Sequence, residues 1–170
     1  MMQSAPEKKQ SWLDRSIFSV IPWNWETALF VAIFVLGALL RFWDLGSRAL
    51  HHDESIHAVH SWYILSGKGM YRQDPTYHGP FLYYSEALAY FLFGATNYAA
   101  RIMPALFGTI LVTTPMLLKR YLGRVGALAT AFMIAISPSI LYYSRALRHD
   151  IFTLAATVVL IIAFFRFMED

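Results

Sequence analysis

Two short polar segments of the chain carry the residue types that could do chemistry. Residues 48–60 read Arg-Ala-Leu-His-His-Asp-Glu-Ser-Ile-His-Ala-Val-His, with two carboxylates and four histidines. Residues 144–150 read Ser-Arg-Ala-Leu-Arg-His-Asp. Carboxylates and imidazoles accept protons as general bases, and the planar guanidinium group of arginine binds phosphate oxygens in pairs. The two segments therefore predict proton transfer and anion binding.

The first polar segment has the pattern of a helix that begins at Asp53 and ends near Gly67, a residue type common just after helix ends. A turn of 100° per residue places Asp53, His57 and His60 within about 60° of one another. Glu54 lies at the edge of that face. This face predicts a catalytic group or a divalent metal site, with carboxylates favouring magnesium or manganese and histidines shifting the preference toward zinc or manganese.

Two simpler interpretations of Asp53 stay open at this point. Its carboxylate could accept backbone N–H bonds as the N-cap of the helix, with Glu54 placed favourably in the first turn. The whole cluster could also be a solvated loop face.

The second polar segment contains two arginines, Arg145 and Arg148, three residues apart. On a helical turn they would face the same way and suit a phosphate group. In the alternative interpretation they extend from helix ends to the membrane surface, and one of them pairs with Asp150.

The composition restricts the kind of protein that holds these segments. Of 170 residues, 57% are hydrophobic and 15% are charged. Soluble domains have about 45–50% hydrophobic and about 25% charged residues. The absence of cysteine excludes disulfides, thiolate nucleophiles and cysteine zinc sites. A net charge of +3 is too small to suggest nucleic acid as a partner. We therefore predict an all-α integral membrane bundle.

Four apolar runs predict the membrane spans: residues 27–40, 102–118, 125–143 and 151–165. Pro138 should kink the third, and Gly108 should allow close helix packing in the second. The run from Phe81 to Phe93 is short and contains Glu86, so we expect a helix at the outer interface rather than a span. This arrangement leaves a cytosolic or interfacial segment at 1–22, a long outer loop at 41–99 and a second outer loop at 144–150.

Residues 41–152 also contain a series of motifs in a characteristic order. They are Asp53-Glu54, Tyr77-His-Gly-Pro80, Ala100-Arg-Ile-Met-Pro-Ala-Leu-Phe-Gly108 and Tyr143-Ser-Arg-Ala-Leu-Arg-His-Asp150. This series resembles the N-terminal catalytic module, here residues 23–170, of the C-type membrane glycosyltransferases that use polyprenyl-phosphate sugars. It is most similar to the flippase-activity-associated branch, which is related to the protein mannosyltransferases.

The resemblance implies transfer of a sugar from a polyprenyl-phosphate donor to an acceptor protein or glycan, on the outer face of the plasma membrane. It implies catalytic roles for Asp53, Glu54 and Asp150, donor-phosphate binding by Arg145, Arg148 and His149, and substrate contacts by Tyr77, His78 and Arg41. The superfamily has members with and without a divalent ion, so Asp53, His57 and His60 stay possible ligands. The expected partners are membrane lipid, the donor, the acceptor and further membrane subunits.

A second interpretation comes from the length of the sequence. Members of the superfamily typically continue through several more membrane helices, whereas this sequence ends at Asp170. The chain is then either part of a split or truncated enzyme, or an accessory membrane subunit without catalysis that packs its aromatic-rich helices against a larger complex. A transporter or ion relay is a third, weaker interpretation.

Overall fold

The protein is a bundle of α-helices, seen here in a computed structural model that describes residues 24–68 and 79–168. Among these residues there are seven helices and no strand: α1 (Trp25–Phe42), α2 (His52–Leu65), α3 (Pro80–Phe93), α4 (Ala99–Leu117), α5 (Lys119–Ile136), α6 (Pro138–Ser144) and α7 (Asp150–Phe167). The prediction of an all-α membrane bundle is confirmed. The N-terminal segment 1–22 lies outside the described residues.

Three of these helices, α1, α4 and α7, are long and apolar enough to cross a membrane. Helices α5 and α6 together pass the same test and are bent by 58° at the break between them. The bent pair makes a fourth span if it crosses as one unit, in agreement with the four predicted runs. Many apolar side chains of α1 and α7 are exposed, as expected for helices in contact with lipid or with further helices.

The bend follows from Pro138, which is the first residue of α6. Proline has no backbone N–H, so the carbonyl group of Ile134 loses its helical partner. Arg41, at the end of α1, replaces that partner, because its Nη2 donates to Ile134 O at 3.0 Å and its Nη1 to Ala135 O at 3.3 Å. The kink predicted from Pro138 is confirmed, and a fully buried arginine satisfies the carbonyl groups that it frees.

Helix α4 approaches α6 closely at Gly108. A Cβ atom at this position would lie 2.1 Å from the Oγ atom of Ser144 and 2.9 Å from Nε of Arg41. The same Nε atom donates to Ser144 Oγ at 3.3 Å. The close packing predicted from Gly108 is therefore present, and its partners are α6 and Arg41.

Helices α2 and α3 pack against each other, and α3 also packs against α4. Helix α2 ends as predicted: Gly67 has a φ of 69°, and Lys68 N donates to Tyr63 O at 3.1 Å, as in a Schellman motif. Helix α3 has 14 residues and rises only about 21 Å, which is too short to cross a hydrocarbon core of about 30 Å. It agrees with the predicted short helix that does not span.

Helix α3 carries an unusual buried acid, Glu86, whose side chain has no exposed surface. Burial raises the pKa of Glu86 to about 9. At neutral pH the group is therefore an uncharged carboxylic acid, which an apolar environment tolerates far better than a carboxylate.

The bundle has two ends with different contents. At one end Glu26 of α1 pairs with Lys119 and, at 3.8 Å, with Arg124 of α5. At the opposite end, the end of α1 and the start of α4 meet the segment 145–149, between α6 and α7. Both polar segments from the sequence lie at this second end, which we call the site end.

Candidate functional site

The site end is organised around a buried ion pair between Glu54 and Arg101. Arg101 Nε donates to Glu54 Oε1 and its Nη2 to Glu54 Oε2, both at 2.9 Å, which is the paired geometry of a guanidinium–carboxylate bridge. The remaining N–H groups of Arg101 bond the carbonyl oxygens of Leu45, Arg48 and Ala49. One arginine at the start of α4 thus fixes the chain between α1 and α2.

Glu54 also accepts two backbone hydrogen bonds, from His51 N at 2.8 Å and from Leu147 N at 2.9 Å. Burial on its own would raise the pKa of Glu54, but the bonds from Arg101 and from the two backbone N–H groups outweigh it and hold the pKa at about 2. The carboxylate joins α2, α4 and the segment 145–149. Both oxygens are occupied and the residue is 5% exposed, so this placement favours a positioning role over the predicted catalytic one.

Asp53 and Asp150 are brought together by Arg148. Arg148 Nη1 donates to Asp53 Oδ2 at 3.2 Å, and its Nε donates to Asp150 Oδ2 at 3.0 Å. All three side chains are between one third and one half exposed. The hydrogen bond that Arg148 donates to Asp150 is the main reason why the pKa of Arg148 is raised. Two of the predicted catalytic residues, 97 positions apart, therefore share one arginine.

The N-cap of α2 is His51, not Asp53, and Asp53 lies inside the first turn. The interpretation of Asp53 as an N-cap is therefore wrong. Glu54 stands at the third helical position and accepts a hydrogen bond from His51 N, so Glu54 is the acid that caps the start of α2.

The predicted metal ligands do not converge. His57 is buried with Nδ1 3.3 Å from the hydroxyl group of Tyr83, and the exposed His60 has Nδ1 2.8 Å from Ile56 O. In the part of the chain that the structure describes, no three His, Asp or Glu side chains are grouped as a metal ion requires. A divalent ion at Asp53, His57 and His60 stays a prediction.

Arg145 and Arg148 do not share a face, because residues 145–149 are not helical. Arg145 points to the end of α1, where its Nη1 donates to Leu40 O at 2.6 Å. A cation is favourable there, since it meets the negative end of the helix dipole. Of the two, Arg148 points to the carboxylates, so the expectation that both arginines face the same way on a helical turn is wrong.

The other predicted residues have more varied positions. Arg41 is buried among backbone carbonyls, and this burial does not support a contact with substrate. His149 is half-buried just before α7, and its carbonyl group accepts from Thr153 N. Tyr77 and His78 lie outside the described residues.

Two cavities open at the site end and share Arg48 and Tyr142. The Asp53 cavity, of about 430 Å³, is lined by residues that include Arg48, His51, Asp53, Glu54, Tyr142 and Arg148. The Asp44 cavity, of about 470 Å³, is lined by residues that include Asp44, Ser47, Arg48, Leu141, Tyr142 and Arg145. Volumes of this size are typical of small-molecule sites.

The sequence interpretation assigned no site role to Arg101, Tyr83 or Tyr142. A signal for Arg101 was present, because it is a lone arginine at the start of an apolar run and such a charge needs a partner. Tyr83 and Tyr142 offered no comparable signal, since the chain has ten tyrosines and aromatic residues are common near membrane surfaces.

Comparison with known proteins adds a family to this geometry. A search of curated proteins and a search of solved structures found no match. A family model described as dolichyl-phosphate-mannose-protein mannosyltransferase matches residues 77–170, from just before α3 to the end of the sequence. This match covers Arg148 and Asp150 but not Asp53, and it confirms the resemblance stated from the motifs. Because it covers more than half of the sequence, the chain belongs to the dolichyl-phosphate-mannose-protein mannosyltransferase family of membrane glycosyltransferases.

Proposed function

We propose that this chain transfers a sugar from a polyprenyl-phosphate donor to an acceptor hydroxyl group, with Asp53 as the general base. The observation that carries the proposal is the joining of Asp53 and Asp150 through Arg148 beside the Asp53 cavity. Carboxylates for proton transfer and a cation for phosphate are the groups that this reaction needs, and membership of the family supports the reaction class.

The reaction proceeds as one displacement at the anomeric carbon of the donor sugar. Asp53 takes the proton of the acceptor hydroxyl group as its oxygen bonds to that carbon, and the carbon–oxygen bond to the lipid phosphate breaks. The sugar passes through an oxocarbenium-like state. Polyprenyl phosphate leaves with the electron pair of the broken bond, and the proton on Asp53 returns to water.

Arg148 stabilises the negative charge that collects on the departing phosphate. Its guanidinium group already lies next to both carboxylates, at 3.2 Å from Asp53 and 3.0 Å from Asp150. Asp150 holds Arg148 in place, which makes it a positioning residue for the cation. A phosphate is a good leaving group, so the reaction needs no separate general acid.

The proposal also covers the location of the reaction. The apolar helices and the family make this a multi-pass membrane protein. We place the site end on the outer face of the plasma membrane, where the donor lipid and an acceptor protein or glycan meet. The opposite end carries Lys119, Arg120 and Arg124, but the site end carries at least as many basic residues, so the preference of basic residues for the cytosolic side barely discriminates between the two orientations.

Asp53→Asn is the deciding variant, because it keeps the size of the side chain and removes proton acceptance. The purified chain, in lipid nanodiscs with a membrane extract as acceptor, is incubated with radiolabelled polyprenyl-phosphate mannose. We expect Asp53→Asn to lower the release of label from the lipid by about 10²-fold or more. Ser55→Ala is the matched control on α2, because it removes only a hydroxyl group that bonds the carbonyl oxygen of His51.

Two results would contradict the proposal. Full activity in Asp53→Asn would remove this residue as the base. Label that stays entirely on the lipid with the folded wild-type chain would instead favour the accessory role, in which the chain packs against a larger complex without catalysis.

A further inference from the structure

Arg48 is a cation that both cavities share and that the sequence interpretation gave no binding role. Its side chain is exposed, and no hydrogen bond or ion pair joins its guanidinium group to the residues that the structure describes. The other three arginines at the cavities are engaged: Arg101 by Glu54, Arg145 by the carbonyl group of Leu40, and Arg148 by two aspartates. Among the described residues, nothing competes with a ligand for the side-chain donors of Arg48.

The charges around the two cavities favour an anion at Arg48. Arg101 and Glu54 neutralise each other, and Arg148 with its two aspartates carries a net charge of −1. In the Asp44 cavity, Arg48 and Arg145 face one carboxylate, Asp44, which leaves a net charge of +1. An anion is therefore attracted to the side of Arg48, whereas Arg148, held between two carboxylates, acts only on the charge that develops when the bond to the phosphate breaks.

The Asp44 cavity also has an apolar wall. Leu45, Pro138 and Leu141 line it together with Tyr142, which is 54% exposed and stands where the two cavities meet. These side chains come from the segment just after α1 and from α6, the bent part of the broken span. A cation beside an apolar wall, at the end of two membrane helices, suits a ligand with a charged head and an apolar tail.

We propose that Arg48 binds the phosphate group of the lipid donor in the Asp44 cavity, and that the sugar occupies the Asp53 cavity. Tyr142 then lies between the two parts of the donor. This inference rests on the proposed function and assigns the two halves of its substrate to two cavities. It places the bond to be broken near the shared wall, next to the cavity that holds Asp53.

The test measures binding without turnover. The purified full chain in detergent micelles is titrated with a sugar-free polyprenyl monophosphate, and the bound lipid is counted by native mass spectrometry. Polyprenol, which has the chain but no phosphate, and inorganic phosphate, which has no chain, serve as the comparison ligands. We expect the polyprenyl monophosphate to bind at least about tenfold more tightly than either, because charge-assisted hydrogen bonds and apolar contacts both contribute.

Arg48→Gln should weaken binding of the polyprenyl monophosphate by about tenfold or more. Arg48→Lys should weaken it less, because lysine keeps the charge but lacks the paired N–H donors of a guanidinium group. Lys68→Gln is the matched control: it removes one cation that lies at the end of α2 over Trp62, and neither cavity is lined by it. The melting temperature of Arg48→Gln should stay at the wild-type value, because its side chain bonds none of the described residues.

Wild-type affinity in Arg48→Gln would overturn the proposal, and so would an equal loss in Lys68→Gln, which would indicate only general charge attraction. Inorganic phosphate that binds as tightly as the lipid would show that the site takes free phosphate instead. This binding test is independent of the proposed function. Asp53→Asn should bind the sugar-free lipid normally whether or not Asp53 is the base, and only the sugar-transfer assay tests the role of Asp53.

Discussion

Neighbouring acids in the sequence have different roles at the residue scale. Asp53 and Glu54 are separated by 100° around α2, so one points to the partly buried Arg148 and the other to the buried Arg101. The buried acid has both oxygens occupied by four hydrogen bonds. Among the described residues, the more exposed acid, Asp53, accepts one hydrogen bond, from Arg148, and it lines a cavity. Solvent access therefore separates a structural carboxylate from one that can exchange a proton with a substrate.

The low pKa of Glu54 predicts that acid destabilises the fold. Its pKa is about 2 in the folded chain and 4.5 in its ordinary state, so the unfolded chain takes up the proton first as the pH falls. The stabilisation is fully present above about pH 4.5 and is lost progressively toward pH 2. Its size is on the order of 3 kcal/mol. The midpoint of denaturation in detergent should therefore decrease when the pH is lowered from 6 to 3.

Glu54→Gln provides the comparison for this titration. It should be less stable than the wild type at pH 6, because Arg101 then keeps a buried charge without a carboxylate. Its midpoint should change less between pH 6 and pH 3. If the midpoint of Glu54→Gln decreased with pH as much as that of the wild type, other carboxylates would be the cause of the acid sensitivity.

At the element scale, the break between α5 and α6 gives the site end its shape. Pro138 ends the regular backbone bonding of α5, and Arg41 of α1 satisfies the carbonyl groups on one side of the break. The same arginine reaches Ser144 at the end of α6. The bend places Tyr142 at both cavities, so the fixed geometry of the broken span determines where the wall of the site stands.

Gly108→Ala should disturb this arrangement, because the added Cβ atom would overlap Ser144 and approach Arg41. Overpacking of this kind costs about 1–3 kcal/mol. Gly126→Ala is the matched control in α5, where a Cβ atom meets only Leu122 Cβ at 3.4 Å. That change should be neutral or stabilising by up to about 1 kcal/mol, since alanine favours helix. Thermal unfolding of both variants in detergent measures the difference, and equal melting temperatures would contradict the close packing.

The elements were largely predictable from the sequence, and the contacts of the site were only partly so. Long apolar runs, Pro138 and Gly67 act locally, so the spans, the kink and the end of α2 follow from them. The partner of Glu54 is 47 residues away, and helical periodicity does not say which face of α2 meets it. The paired arginines were predicted on the assumption of a helical turn, which the segment 145–149 does not form.

At the scale of the whole molecule, the site is built from parts of the chain that meet only in the bundle. The loop after α1, helix α2, the start of α4 and the segment 145–149 all contribute to it. For these parts to lie on one side of a membrane, the chain between α1 and α4 must cross it an even number of times. Because α3 is too short to span, we expect no crossing between α1 and α4.

This topology predicts the accessibility of single introduced cysteines. Because the sequence contains no cysteine, a thiol reagent labels only the introduced one. Cysteines placed at Lys68 and Arg148 should both react with an impermeant thiol reagent added to intact cells. One placed at Arg124, at the end that carries Lys119 and Glu26, should react only after the cells are permeabilised. Lys68 lies before α3, and Arg148 lies after α4 and the bent α5–α6 pair, so the two positions together test whether α3 crosses the membrane. Labelling of Lys68 from outside, with Arg148 reactive only in permeabilised cells, would mean that α3 crosses the membrane, and a single outward-facing site could not then contain Asp53 and Arg148 together.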